Sequence, residues 1–212
     1  MLHVLLDAVF PPRETELLVR GLTPDSLADL MQPKIVHENG ALTSEIIGLF
    51  PYAHPAVRAC ILEAKFHGNK YAAQLLGAAL SDFLYEFLSE SAPLIYKEPI
   101  YIPLPLSTER LRERGYNQAE RIASAATSLL LKAACTTHLL RRTRNAAPQT
   151  SLGARERRTN LCGAFEVNEP CDPCRTYIMV DDVTTTGSTM EAASAAMVEG
   201  GAKRLLLIAL AY

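Results

Sequence analysis

The chain has 212 residues, a net charge of -2 and 49% apolar residues. That length fits one large domain or one domain with an appendage, and the apolar fraction excludes a disordered chain. The near-neutral balance excludes a protein held to nucleic acid or membrane by its overall charge.

In chain order, residues 1–33 read as helical and irregular. The apolar opening MLHVLLDAVFPP has no basic stretch ahead of it and contains Asp7, so it predicts an N-terminal helix and not a signal peptide. In TPDSLADL, Thr23 suits a helix N-cap and Pro24 the first helical position. KIVHENGALTSEIIGLF sets Asn39-Gly40 between two β-prone runs, the signal of a two-residue hairpin. HPAVRACILEAKFHG predicts a helix closed by Gly68, and YAAQLLGAALSDFLYEFL a second, amphipathic one. The pattern changes near Ala92-Pro93. LIYKEPIYIPLPL is β-prone with prolines at its far end, YNQAERIASAATSLLLKA is helical, and THLLRR is a short strand. Residues 143–163 are polar and Arg-rich, with GAFEV beyond them as a strand. TYIMV predicts a buried strand, TMEAASAAMVEGG a helix and AKRLLLIALAY a last buried strand. Strands that alternate with helices and have continuous apolar cores predict an α/β fold, with a parallel sheet covered on both faces. Residues 1–90 are expected to form a small α+β accessory or hood region, and residues 91–212 the core.

No stretch approaches the roughly 18 apolar residues that a membrane-spanning helix needs. Five cysteines, an odd number without a dense framework, fit a reducing compartment. The expectation is a cytoplasmic protein with no membrane partner. Cys171 and Cys174 form one CxxC pair, but a structural zinc site takes about four ligands. No second CxxC or HxxxH is present, so the pair reads as a plain loop and no metal-ligating set is assigned.

The densest chemistry lies in TYIMVDDVTTTGSTMEAASAAM, residues 176–197. In open parallel sheets, ligands sit beyond the carboxyl ends of strands, which is where Asp181 and Asp182 fall. The hydroxyl-rich turn around Gly187 leads into a helix, so free backbone N–H groups and the helix dipole point at one place. Thr185, Thr186, Ser188 and Thr189 add hydroxyl donors, and Gly187 allows close backbone approach to an oxyanion. Carboxylates accept hydrogen bonds, which suits the hydroxyl pair of a ribose or the waters of a hydrated Mg2+. Acids beside a phosphate cradle describe a sugar phosphate. An Asp-Asp pair or a Thr/Ser/Gly turn is common alone; the joint arrangement on a strand, turn and helix is not. Neither GxxxxGK[ST] nor GxGxxG occurs.

The basic residues are uneven. Arg110, Arg112, Arg114 and Arg121 lie in one window, and Arg141, Arg142, Arg144, Arg155, Arg157 and Arg158 in another, ten of the 21 Lys and Arg residues. Arg suits bidentate phosphate contacts.

IMVDDVTTTGST resembles the phosphoribosyl pyrophosphate (PRPP) motif of type I phosphoribosyltransferases. KFHGN at 65–69, IPLPLSTERLRERGYNQAERIA at 102–123, RRTRNAAPQTSLGARERRTNLCGAFEV at 141–167 and this motif occur in one order. That order is similar to the ComF/GntX family, competence-associated proteins with a phosphoribosyltransferase fold, over roughly residues 46–212. The resemblance implies a type I phosphoribosyltransferase-like α/β fold that binds PRPP with Mg2+. It makes Asp181, Asp182, Val183, Thr184, Thr185, Thr186, Gly187, Ser188 and Thr189 the ligand-binding segment, with the acids on the ribose hydroxyls and Thr185–Thr189 on the 5-phosphate. Pro105–Gly115 becomes the pyrophosphate loop, and residues 142–160 the flexible loop over the site. Arg110, Arg114, Arg144 and Arg158 are the candidates to stabilise the leaving pyrophosphate. Gln149 and Asn160 would orient the loop, and Asn117 would cap the next helix. Lys65 and Gly68 read first as a helix end with its cap, and second as site residues.

The chain departs from the family pattern in places. A four-cysteine zinc ribbon usually opens these proteins, whereas the first cysteine here is Cys60. Purine-salvage relatives carry an acidic base inside the motif, where this chain has Thr185, so no general base is identified and the acceptor stays unknown. No N-terminal Cys nucleophile for glutamine-dependent chemistry is present. One rival reading is a protein of DNA uptake that handles single-stranded DNA, alongside competence proteins, without turnover. Its Arg loops would track phosphates and Tyr116 would stack a base, with steep salt dependence. Another rival is a PRPP-sensing regulator.

Overall fold

The computed structural model describes residues 11–37, 45–91, 99–130, 134–143 and 163–212. The apolar opening segment therefore lies largely outside the described residues. Two short helices come first, α1 (Glu14–Arg20) and α2 (Pro24–Ala28). The Thr23 side chain accepts from the Ser26 amide and Pro24 occupies the first turn, so the expected start of α2 is in place. Strands β1 (Lys34–His37) and β2 (Ile46–Phe50) pair antiparallel. His37 stands opposite Ile46, which leaves residues 38–45 between them. That connection is longer than a two-residue turn at Asn39-Gly40 would give, and the register corrects that expectation; positions 39 and 40 themselves lie outside the described residues.

Helices α3 (Pro55–Phe66) and α4 (Lys70–Ser91) follow. Gly68, with φ +63°, closes α3 as expected. Next come β3 (Ile100–Pro103), α5 (Thr108–Arg114), α6 (Gln118–Leu129) and β4 (Ala134–Cys135). Helix α5 lies inside the stretch read as a loop: Ser107 caps its start and Gly115, with φ +77°, ends it. The chain ends with β5 (Leu140–Arg142), β6 (Phe165–Val167), β7 (Thr176–Val183), α7 (Ser188–Glu199) and β8 (Arg204–Ala211).

Six strands form one sheet in the order β1-β2-β8-β7-β3-β4. Only the β1–β2 pair is antiparallel; β2–β8, β8–β7, β7–β3 and β3–β4 are parallel. A mixed, mostly parallel sheet flanked by helices is consistent with the α/β phosphoribosyltransferase-like expectation. Strands β5 and β6 form a separate antiparallel pair.

Both faces of the sheet are covered, because side chains alternate along a strand. Ile178 and Val180 of β7 and Ile208 and Leu210 of β8 enter one core, with α3, α4 and α6. Tyr177 and Met179 of β7 and Leu207 and Ala209 of β8 enter a second core. There they meet Met190, Ala193 and Met197 of α7 and Leu140 and Phe165 of the small sheet. Helices α4 and α6 nearly touch backbone to backbone. A Cβ on Gly77 would sit 2.6 Å from Ala125 Cβ and 2.9 Å from the Ile122 carbonyl oxygen, so only glycine fits there. Among the described residues no helix is long and apolar enough to cross a membrane.

A buried carboxylate ties α1 to α3. Glu63 is fully buried. It accepts 3.0 and 2.9 Å hydrogen bonds from Arg13 Nε and Nη2, and a 2.6 Å bond from Thr15 Oγ1. Asn69 Nδ2 donates to it at 3.4 Å. Burial alone would raise this carboxyl, but the bonds from Arg13, Thr15 and Asn69 overcome it and hold the value at about 2. A depressed folded value means that this stabilisation is complete above the ordinary carboxylate range and is lost as pH falls toward about 2. Arg13→Ala leaves a buried charge uncompensated and is expected to cost on the order of 3 kcal/mol in urea melts at pH 7. The deficit should shrink as pH falls through the acid range; a deficit that is independent of pH would contradict this account.

Candidate functional site

The carboxyl ends of the parallel strands gather on one edge of the sheet, and β7 carries the acids there. The β7–β8 ladder runs through Asp181, opposite Ala209, to Val183, opposite Ala211. Both acids therefore sit within the last residues of the strand and not in the loop after it. Strand alternation then separates their side chains. Asp182 follows Ile178 and Val180 toward α3, and is buried; Asp181 follows Tyr177 and Met179 toward the small sheet, and is half-buried. Each also accepts a local amide: Asp181 Oδ1 from the Asp182 N–H at 2.8 Å, and Asp182 Oδ1 from the Val183 N–H at 2.9 Å.

A lysine from the N-terminal half completes the Asp182 side. Lys65 Nζ, in the last turn of α3, lies 2.7 Å from Asp182 Oδ2. The segment after it is fixed from α6 and from the link before that helix. Tyr116 Oη donates to the Lys65 carbonyl at 3.0 Å, Arg121 Nη1 donates to the Gly68 carbonyl at 3.1 Å, and the Arg121 guanidinium lies 3.7 Å from the centre of the Tyr116 ring. So KFHGN is a helix end, as first read, and its Lys65 side chain reaches Asp182. Tyr116, read as a base-stacking candidate, instead has a guanidinium on its ring and its hydroxyl on the backbone.

The turn after β7 leads into a helix start that no side chain caps. The Thr184 N–H donates to the Ala211 carbonyl at 2.9 Å, which fixes where the turn leaves the sheet. Thr185 and Thr186 are exposed, and Thr186 Oγ1 lies 3.0 Å from Ser188 Oγ. Gly187 is the N-cap of α7 at φ +71°, and no side chain caps the helix. The left-handed backbone favours glycine, and the helix start presents uncapped N–H groups and the positive end of its dipole. Val183 and Thr189 are half-buried and Ser188 is buried at its foot.

The arginines divide. Arg110 is exposed on α5. Arg114 is held away from open solvent: Nη1 donates to Gln118 Oε1, and the guanidinium lies 5.4 Å from the centre of the Phe66 ring. Arg144 and Arg158 lie outside the described residues, as do Gln149 and Asn160. Asn117 takes the expected capping place, with Oδ1 accepting from the Ala119 N–H and Nδ2 donating to the Leu104 carbonyl, both at 3.0 Å. Arg142, which was not singled out among the candidates, is half-buried at the end of β5, with its guanidinium 5.4 Å from the centre of the Phe165 ring. The signal for Lys65 was present in the KFHGN motif. For Arg142 only its place in the arginine-rich window hinted at a role.

The charge of Asp181 is poorly compensated among the described residues. Burial first, and the adjacent Asp182 carboxylate second, raise its carboxyl well above the ordinary range, against the Asp182 amide and Lys65. A hard carboxylate pair that is short of positive charge suits a divalent cation or the hydroxyls of a sugar.

No protein-family model matches the chain. It is 40% identical to competence protein F of Haemophilus influenzae over 91 residues, covering 42% of this chain and 39% of that protein. It is 37% identical to the DNA utilization protein YhgH of Escherichia coli O157:H7 over 101 residues, covering 48% and 44%. It is 31% identical to competence protein ComFC of Bacillus subtilis over 139 residues, covering 65% and 51%. The aligned segments thus span about half or less of these relatives' own lengths.

A raised folded value for Asp181 opposes folding once the group must ionise, so it weakens the fold as pH rises from the ordinary carboxylate range through the raised value. Asp181→Asn, which keeps the oxygen that accepts the Asp182 amide, is expected to melt above wild type at pH 7–8, by about 2–4 °C for each kcal/mol relieved. The two should converge near pH 4. Melting curves that coincide at every pH would show that solvent already compensates the charge.

Proposed function

From the membership of this chain in the ComF family, which its homology to competence protein F, ComFC and YhgH supports, we propose that it binds PRPP with Mg2+ at the end of β7. The names of these homologues support a competence-related role, and the binding reaction belongs within it. The observation that carries the reading is the arrangement on β7 and α7. Two carboxylates stand on the strand end, and directly beyond them a turn with the exposed Thr185 and Thr186 leads into a helix start without a side-chain cap. In this reading the Thr185–Thr189 turn takes the 5-phosphate, and Asp181 and Asp182 take the ribose hydroxyls. Mg2+, when bound, supplies charge neutralisation to the phosphate groups, and the two carboxylates are the residues of the chain suited to its hydrated form.

The reaction that such a site supports is attack of an acceptor nucleophile on C1 as the C1–oxygen bond breaks and pyrophosphate leaves. Positive charge placed where the leaving group gains negative charge lowers that barrier. Arg110 on the exposed face of α5 suits this task. Arg114 suits a different one, since its bonds to Gln118 and Phe66 make it a brace between α5, α6 and the end of α3. No acid stands at Thr185 to serve as base, so positioning and charge stabilisation carry the chemistry.

A second reading has its own observation. Helix α5 buries none of its residues and presents Arg110 and Arg112 to solvent, a surface that would suit a phosphate backbone. With Tyr116 occupied, the exposed aromatic beside it is Phe66, 59% accessible. This reading is single-stranded DNA handling without turnover.

Titration calorimetry separates the two. Wild type is expected to take up PRPP only with Mg2+, and Asp181→Asn with Asp182→Asn is expected to weaken it by about a hundredfold, from two charge-assisted contacts. Tight, salt-sensitive binding of an oligodeoxynucleotide together with no heat from PRPP would replace the first reading with the second.

A further inference from the structure

The link between β6 and β7 carries the one CxxC pair of the sequence, Cys171-Asp172-Pro173-Cys174. It is bonded to three neighbouring elements. The Cys171 N–H donates to the Gly200 carbonyl at the end of α7, and the Asp172 N–H donates to the Tyr177 hydroxyl on β7, both at 2.8 Å. Arg204 Nη1, at the start of β8, donates to the Cys174 carbonyl at 3.0 Å. The link is also bonded to itself. The Arg175 N–H donates to the Asp172 carbonyl at 3.1 Å, which makes 172–175 a turn with Pro173 in its favoured second place. The Cys174 N–H donates to Asp172 Oδ1 at 2.8 Å. Thr176 stands opposite Arg204, so this turn lies where the amino ends of β7 and β8 meet. That is the sheet edge opposite Asp181 and Asp182.

Both thiols are free, and their surroundings differ. Cys174 is exposed, whereas Cys171 is 6% accessible and belongs to the second core. Burial raises the Cys171 thiol above its ordinary value, against the Ala202 amide and the Tyr177 hydroxyl, which bond its sulfur. A buried thiol alone packs as a small apolar group. An exposed thiol alone reacts and stays modified. Here the two occur together, two residues apart, in a turn that proline and six hydrogen bonds restrict. The short spacing limits how far apart the sulfurs can lie, and little chain entropy is lost on joining them. The exposed sulfur can be reached by a bulky disulfide, and the buried one cannot. An accessible attacking thiol beside a protected resolving thiol is the division of labour that disulfide exchange needs.

We propose that Cys171 and Cys174 form a thiol–disulfide exchange site, in which Cys174 meets small disulfides and Cys171 resolves the product. The oxidant class is a low-molecular-weight disulfide such as glutathione disulfide. The Cys174 thiolate attacks one of its sulfurs, its S–S bond breaks, and one glutathione thiolate leaves. A mixed disulfide between Cys174 and glutathione remains. The Cys171 thiolate then attacks the Cys174 sulfur and displaces the second glutathione thiolate. The two departing thiolates carry off the electron pair and take up the two thiol protons. The chain is oxidised by two hydrogens, and the glutathione disulfide is reduced to two thiols. The site is independent of the PRPP reading, because it shares no residue with the ligand edge.

Mass spectrometry tests the assignment on the full chain. Wild type, Cys171→Ser, Cys174→Ser and Cys162→Ser are exposed to excess glutathione disulfide, alkylated to trap the remaining thiols, and mapped after trypsin. Cys162→Ser is included because position 162 falls in the same tryptic peptide, 159–175. Wild type and Cys162→Ser are expected to lose two hydrogens, with the bridge between positions 171 and 174 and no glutathione retained there. Cys171→Ser should stop at the mixed disulfide, with glutathione on Cys174. Cys174→Ser should leave Cys171 alkylated only after unfolding. Should a serine variant fail to fold, the map of wild type against Cys162→Ser carries the test, since both keep the pair intact. Glutathione retained on Cys174 in wild type to the extent seen in Cys171→Ser would mean that Cys171 resolves nothing, and would overturn the proposal. Two free thiols at 171 and 174 after the oxidant, or a bridge from either to another cysteine, would overturn it as well.

Discussion

Two adjacent carboxylates at the end of a buried strand repel each other, and the rest of the site follows from how that repulsion is contained. A strand alternates its side chains, so neighbours in sequence become opposites in space. Asp182 turns to the face covered by α3 and meets Lys65 at 2.7 Å. Asp181 turns to the other face, where its nearest compensation comes from the amide beside it and from more distant cations. The sheet divides one problem into two, and only one of them is fully solved among the described residues. The unsolved half sits at the edge where a ligand would bind. Strain of this kind is expected at functional sites, where a ligand supplies what the fold withholds.

The containment draws on the whole chain. Lys65 is useful only if the end of α3 is held in place, and three separate anchors hold it. Glu63, two residues earlier, is locked by Arg13, Thr15 and Asn69. Tyr116 grips the Lys65 carbonyl and Arg121 the Gly68 carbonyl. Beneath them, α4 lies so close to α6 at Gly77 that a methyl group would not fit. The N-terminal helices thus share a core with β3, α6, β7 and β8, and β2 pairs directly with β8. The lysine that answers Asp182 therefore comes from a part of the chain that shares the rigidity of the sheet.

Much of this was legible in the sequence, for physical reasons that differ from element to element. TYIMV and AKRLLLIALAY announce buried parallel strands by continuous apolar runs. Thr23-Pro24 and Gly68 mark helix ends through backbone chemistry that is local. The acids, the hydroxyl turn and Gly187 lie on one contiguous segment, so their joint meaning needs no tertiary information. Helix α5 was not legible: TERLRER has no apolar stripe because no residue of it is buried, and its ends depend on Ser107 and Gly115 alone. Strand β4, two residues long, is too short to leave a pattern. The β1–β2 register escaped because Asn39-Gly40 is only a local preference, whereas the sheet fixes pairing through Ile46 and Ile47 on β8. Pairings such as Lys65 with Asp182 lie beyond any window, since they exist only once α3 has packed on β7.

One consequence concerns the order of electrostatic events at the site. The helix start of α7 offers partial positive charge in fixed backbone groups, which cost no reorganisation when an anion arrives. Lys65 is already paired with Asp182, so serving a phosphate would release a buried carboxylate, which is costly. Among the described residues, Arg110 on α5 and Arg142 at the end of β5 also place positive charge near this part of the sheet. Cations on separate elements meet across an anion only when those elements stand at the right spacing.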